Sequence, residues 1–214
     1  MRQVYREDIL NRIREAIFSG ELKPGDRVIE TIWAKELGVS QGPVREAIRD
    51  LEALGLVETV PFKGSRVKVL SKKDILDNYG VRMCLEEKSI KDVLKYLTES
   101  QLQDLDVELQ KIIDDMDVCA GRGDLSGFTD CDTHFHKTII EATNNPVLLK
   151  LWEQCNMRNW SSVAALNNPK TLKRLQEGHK NILKAFRERD SKEARVMLSE
   201  HLTGLMNDYI NTME

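Results

Sequence analysis

Long apolar runs are missing from this 214-residue chain. No segment approaches the roughly 18 uninterrupted apolar residues of a membrane helix, so no membrane span is expected. The first residues, "MRQVYREDIL", lack the apolar core of a signal peptide, which leaves a cytoplasmic location as the expectation. Cysteine is scarce: Cys84, Cys119, Cys131 and Cys155 show no C-x-x-C spacing, and a chain of this length can bury a core without covalent staples, so free thiols are expected. There is no H-E-x-x-H or comparable motif, which removes the main sequence support for a metal-dependent hydrolase. Beyond Lys73 there is no convincing strand.

What is present is unevenly distributed. Residues 1–72 carry 13 Lys+Arg against 11 Asp+Glu, while the rest carries 19 against 24. All four histidines, His134, His136, His179 and His201, lie in the second part. Two domains are therefore expected, 1–72 and 73–214, with different tasks.

In the first, Ile9, Ile13, Ala16 and Ile17 recur at helical spacing and Gly20 follows as a C-cap. A Pro-Gly turn in "LKPGDRV" leads to a short helix, "TIWAKEL", with Thr31 as its expected cap and Gly38 as its end. A third helix starts at Ser40, accepts Pro43 in its first turn, buries Val44, Ala47, Ile48, Leu51 and Leu54, and ends at Gly55. On its opposite side Gln41, Arg45, Arg49 and Glu52 fall within an arc of about 80°, the face a recognition helix would turn to a major groove. Two short β-prone runs in "LVETVPFKGSRVKVL" then flank a turn with Pro61 and Gly64, among the cations Lys63, Arg66 and Lys68. Short helix, tight turn, longer helix and basic hairpin together describe a winged helix-turn-helix.

The stretch from "IREAIFSGELKPGDRV" through "LGVSQGPVREAIRDLEALGLV" to "GSRV" resembles the DNA-binding domain of GntR-family transcription regulators. The resemblance implies binding of double-stranded operator DNA by a homodimer, with Arg45 and Arg49 as contacts and Gln41, Thr31, Ser40, Lys63 and Arg66 completing the expected interface. Where the family usually carries Arg, this chain carries Gln41 in "VSQGPVREA".

The second part is helical in period throughout. Ile75, Tyr79, Val81, Leu85 and Ile90 mark one expected buried face, and Leu102, Leu105, Leu109 and Ile112 mark the next. "AGRGDLSGF" is expected as a flexible connector, and six or seven helices as one α-bundle. In "CDTHFHKTII", Asp132 and His136 are i, i+4 and share a face, whereas His134 is about 200° from Asp132 and points elsewhere. His179 stands beside Ile182 and Leu183, and His201 beside Leu198 and Leu205, on the apolar sides of the last two helices. An inward Asp–His pair can be purely structural. Neighbouring helices can also bring three imidazoles and a carboxylate to one point, a mixed nitrogen and oxygen site for a divalent transition metal.

"DTHFHKTIIEATNNPVL", "EGHKNILKAFRERD" and "ARVMLSEHL" resemble the FCD effector domain of the FadR subgroup. That resemblance assigns a metal to Asp132, His136, His179 and His201, with zinc or nickel ahead of manganese, cobalt or iron. It also implies that Arg82, in "YGVRMCLEEKSI", meets the carboxylate of a small organic acid. The function implied is a DNA-binding regulator, a repressor, whose operator affinity such an effector modulates. A purely structural metal and a metal-dependent enzyme are the alternatives.

Overall fold

The computed structural model describes residues 2–155 and 169–211, which divide between two compact units, Met1–Leu70 and Ser71–Glu214. Among the described residues there are nine helices and one two-stranded sheet, a mainly α protein.

The first unit contains α1 (Arg2–Phe18), α2 (Glu30–Glu36), α3 (Gln41–Ala53), β1 (Val57–Val60) and β2 (Gly64–Val67). The apolar stripe of α1, Ile9, Ile13 and Ala16, meets Val44, Ala47, Ile48 and Leu51 of α3, and all are buried in one cluster with Trp33, Val57 and Val67. Each fully buried Ile or Leu in such a cluster contributes roughly 1.5–3 kcal/mol. Arg6 closes the rim with a two-pronged ion pair to Asp50, at 2.5 and 2.8 Å. The hairpin is antiparallel, pairing Val57 with Val67 and Val60 with Gly64. Residues before α2 extend it: the Gly25 amide donates to the Val67 carbonyl at 3.0 Å and the Val28 amide to the Ser65 carbonyl at 2.9 Å.

One capping expectation fails in this unit. Thr31 does not cap α2, because the helix already includes Glu30 and its N-cap is Ile29, which offers no side-chain acceptor. Ser40 occupies the N-cap position of α3, yet its hydroxyl makes no capping bond.

The second unit holds α4 (Lys72–Tyr96), α5 (Glu99–Arg122), α6 (Leu125–Ala142), α7 (Pro146–Gln154), α8 (Pro169–Arg187) and α9 (Ser191–Asn211). Local chemistry sets most starts. Ser71 with Asp74, and Thr98 with Gln101, form reciprocal capping boxes. The side chain of Asn145 accepts from the Val147 and Leu148 amides, with Pro146 beginning α7. Helix α4 packs against α6, α7 and α9, α5 against α6 and α8, and α8 against α9. The expected flexible connector is almost absent. Helix α5 runs to Arg122, Gly123 turns the chain at φ 69°, and Asp124 caps α6 through the Gly127 amide. The left-handed glycine and the cap replace a loop with a tight corner. Val81, expected in the core, is 53% exposed, because Arg82 takes the inward position beside it. The continuation of the helix expected over "NPVLLKLWEQCNMRNWSSVAAL" lies outside the described residues from 156 on.

Candidate metal centre and nucleic-acid interface

Asp132 and His136 leave one face of α6 a turn apart; His179 comes from α8 and His201 from α9. All four side chains are buried, and one ligand-capable atom from each lies within 4.8 Å of the others. Asp132 Oδ1 and the Nε2 atoms of His136, His179 and His201 have no hydrogen-bond partner. Buried polar atoms are normally paired, so four unpaired ones converging on a point call for a shared partner.

The tautomers say what kind. His179 Nδ1 lies 2.8 Å from the Leu175 carbonyl, which can only accept, so Nδ1 carries the proton and the Nε2 lone pair faces the cluster. His136 Nδ1 is 2.7 Å from Glu86 Oε2, and this carboxyl stays ionised, held well below the usual carboxylate range by Arg82 and His136 against the opposing effect of burial. His179 Nε2 lies 3.2 Å from Asp132 Oδ1, and its lone pair and that carboxylate oxygen repel one another in a dry interior unless a cation sits between them. Three imidazoles and one carboxylate fit a divalent transition ion. Carboxylate–His and carbonyl–His pairs are also the usual supports of metal-bound imidazoles.

His201 is set by a glycine. A Cβ on Gly178 would lie 2.3 Å from His201 Nδ1, so the close approach of the imidazole to α8 requires that position to be bare. His134, by contrast, is exposed on the far side of α6 and takes no part.

Burial pushes Asp132 up, whereas the neighbouring imidazoles in their protonated form and the charge of Arg82 pull it down, to about 2. His179 is held below the ordinary imidazole value and His201 well below it, in both cases chiefly by burial. The unfolded chain thus takes up protons near pH 6.5 that the folded chain refuses. Stability of the metal-free protein should fall as pH drops below about 6.5, by up to about 1.4 kcal/mol per pH unit for each such histidine. Asp132 adds a loss in the same direction at lower pH, from about 4 down through its folded value of about 2. Denaturant midpoints of metal-stripped protein are therefore expected to decline from pH 7 to pH 5. A midpoint constant over that range would refute the neutral, buried imidazoles.

Sequence reasoning missed Glu86. Its Oε1 accepts from Arg82 Nε at 2.6 Å and from the Trp152 indole at 2.9 Å, and its Oε2 meets His136. The i, i+4 spacing of Arg82 and Glu86 was a visible signal for the first contact. Nothing local announces the other two, which need α6 and α7 to dock on α4. Arg82 itself is 1% exposed, and its Nη1 has no hydrogen-bond partner; neither has the hydroxyl of Tyr79, over whose ring the guanidinium lies at 5.7 Å.

On the first unit Gln41, Arg45 and Arg49 form an exposed row along α3, with Ser40 at its start and Thr31 exposed on α2. The expected fourth member of the row, Glu52, turns to the hairpin and accepts from the Thr59 amide at 3.0 Å. Arg45 is clamped by both carboxylate oxygens of Glu30, at 2.8–3.0 Å. Lys63 is exposed at the hairpin turn, and Arg66 pairs with Glu58 across the strands at 2.6 Å.

A helix-turn-helix with an exposed polar row, a hairpin wing and a separate helical bundle with a buried polar centre define a DNA-binding transcription regulator. Residues 5–67 match the model for bacterial regulatory proteins of the gntR family, and residues 77–204 match the FCD domain. The chain belongs to the gntR family and carries an FCD domain; it is a regulator, not an enzyme. It is 28% identical over 209 residues to the "Probable D-xylose utilization operon transcriptional repressor" of Paenarthrobacter nicotinovorans, covering 96% of this chain and 90% of that one. It is 28% identical over 193 residues to the HTH-type transcriptional regulator McbR of Escherichia coli, covering 89% and 86%. The solved structure of E. coli McbR/YncC matches with a TM-score of 0.79 at 23% identity, over 98% of this chain and 99% of that chain, a likeness of fold. No helix among the described residues is long and apolar enough to cross a membrane.

Proposed function

We propose that this regulator is a homodimeric repressor whose operator affinity is set by a small organic acid bound beside a divalent transition metal. The reading rests above all on the four buried, unpaired atoms of Asp132, His136, His179 and His201. These residues would hold the metal, and Glu86 and the Leu175 carbonyl would fix two of its imidazoles. When bound, the ion supplies a positive centre, because three neutral histidines and one aspartate leave a divalent cation only half neutralised. Arg82 Nη1 and the Tyr79 hydroxyl are further buried groups with unused hydrogen-bonding capacity, and a guanidinium edge matches a carboxylate. Repression is favoured by a relative named as an operon repressor. Two-fold pairing of recognition helices is the usual route to a palindromic operator.

Native mass spectrometry with elemental analysis tests the reading directly. One divalent transition ion per chain and a retained small acid are expected. Arg82→Ala should keep the ion and lose the acid, with calorimetric affinity for the acid falling by about tenfold or more, the scale of one charged hydrogen bond. Unchanged affinity would remove Arg82 from the role. Metal removal that unfolds the bundle would instead favour a structural ion.

A further inference from the structure

Phe62 carries two anomalies at once. It sits at φ 62°, and it is fully solvent-exposed, the most exposed large apolar side chain among the described residues. The Lys63 amide donates to the Val60 carbonyl at 3.0 Å, which makes Val60–Lys63 a β-turn with Pro61 and Phe62 in its middle. Proline at the second position fixes a negative φ there, and a positive φ at the third then defines a type II turn, whose third position belongs to glycine or asparagine. A bulky aromatic in that slot is a conformational cost, and its full hydration is a second one. Neither is offset by any packing within the unit.

The tip is held in place on a particular side of the domain. Arg27 Nη2 donates to the Lys63 carbonyl at 2.7 Å, and three residues later Glu30 grips Arg45 of α3. Phe62, Lys63, the start of α2 and the exposed row of α3 are thus linked through one short segment. That side carries Arg27, Lys63 and Arg45, and the partner of the row is duplex DNA.

We infer that Phe62 is a DNA wedge, presented by the wing to the minor groove and inserted at a base step when α3 occupies the major groove. A phenyl ring cannot read a phosphate or a base edge by hydrogen bonding. What it can do is stack on an opened step, and apolar wedges of this kind unstack base pairs from the minor groove and bend the duplex. The ring is fully exposed, which is what such insertion needs. The inference rests on the DNA-binding reading above.

The test uses a duplex selected from a random pool by the full-length wild-type protein. Phe62→Gly should bind that duplex about tenfold more weakly, the scale of one lost aromatic–base stack. It should also bend the duplex less by fluorescence energy transfer between its ends, while the dependence of affinity on salt stays that of wild type, because no cation is removed. Thermal stability of Phe62→Gly should hold or rise, since glycine suits the turn. Phe62→Leu should retain most of the bending. Wild-type affinity and bending in Phe62→Gly would overturn the inference, as would a change confined to self-association. Failure of the wild-type protein to select any duplex would instead overturn the DNA-binding reading itself.

Discussion

His179→Ala is expected to lower affinity for a divalent transition metal by well over 100-fold, whereas His134→Ala leaves it unchanged. Loss of a group that merely supports a metal-bound imidazole typically costs 10- to 100-fold, and loss of a ligand should exceed that. The contrast between the two histidines is the informative part. His134 stands two residues from His136 in the same helix but is exposed, while His179 is fully buried with its Nε2 unpaired. Glu86→Gln should fall between them, because an amide can still hold His136 but no longer makes it more basic. Competition against a chromophoric chelator measures all three. Equal losses for His134→Ala and His179→Ala would mean that the ion binds elsewhere.

Arg45→Ala is expected to weaken operator binding by about 1–3 kcal/mol per half-site, the range of a good side-chain contact to a base pair. Glu30 complicates the free protein, since its carboxylate holds the guanidinium through two oxygens. DNA must either replace that carboxylate or use Arg45 in the orientation it already sets. Glu30→Gln should therefore separate the two: tighter, more salt-dependent binding means that Glu30 competes, and weaker binding means that it positions Arg45. A reading function is expected of Gln41, because its amide offers one donor and one acceptor, suited to adenine N7 and N6. Gln41→Arg is expected to shift preference at that base pair from A·T to G·C in binding-site selection. Identical selected sites would show that Gln41 reads nothing.

The first unit was legible because its information is local. Gly20, Gly38 and Gly55 do lie in left-handed conformations after their helices, and the apolar stripe of α3 is buried as its period indicates. Thr31 misled because a good capping residue has no effect if the backbone has already entered the helix one residue earlier. The glycines of "AGRGDLSGF" misled in the opposite direction. Gly121 continues α5 and Gly127 lies within α6, so only Gly123 makes the corner. In the bundle, the i, i+4 phase separated His136 from His134 without any tertiary knowledge. The meeting of Glu86 with His136 and Trp152 could not be read, since it depends on which turn of α4 each neighbouring helix docks against.

The four cluster residues are drawn from Asp132 to His201, across three helices that are contiguous only after the bundle has formed. An unfolded chain presents no such site, so by mass action an ion that prefers the folded form adds about 1.4 kcal/mol to stability for every tenfold rise in its free concentration above the dissociation constant. The amount of functional regulator in a cell would then follow the free pool of that ion, before any organic acid or operator is involved. Protease resistance of purified protein, titrated with buffered free metal, would trace this dependence as a curve rather than a step.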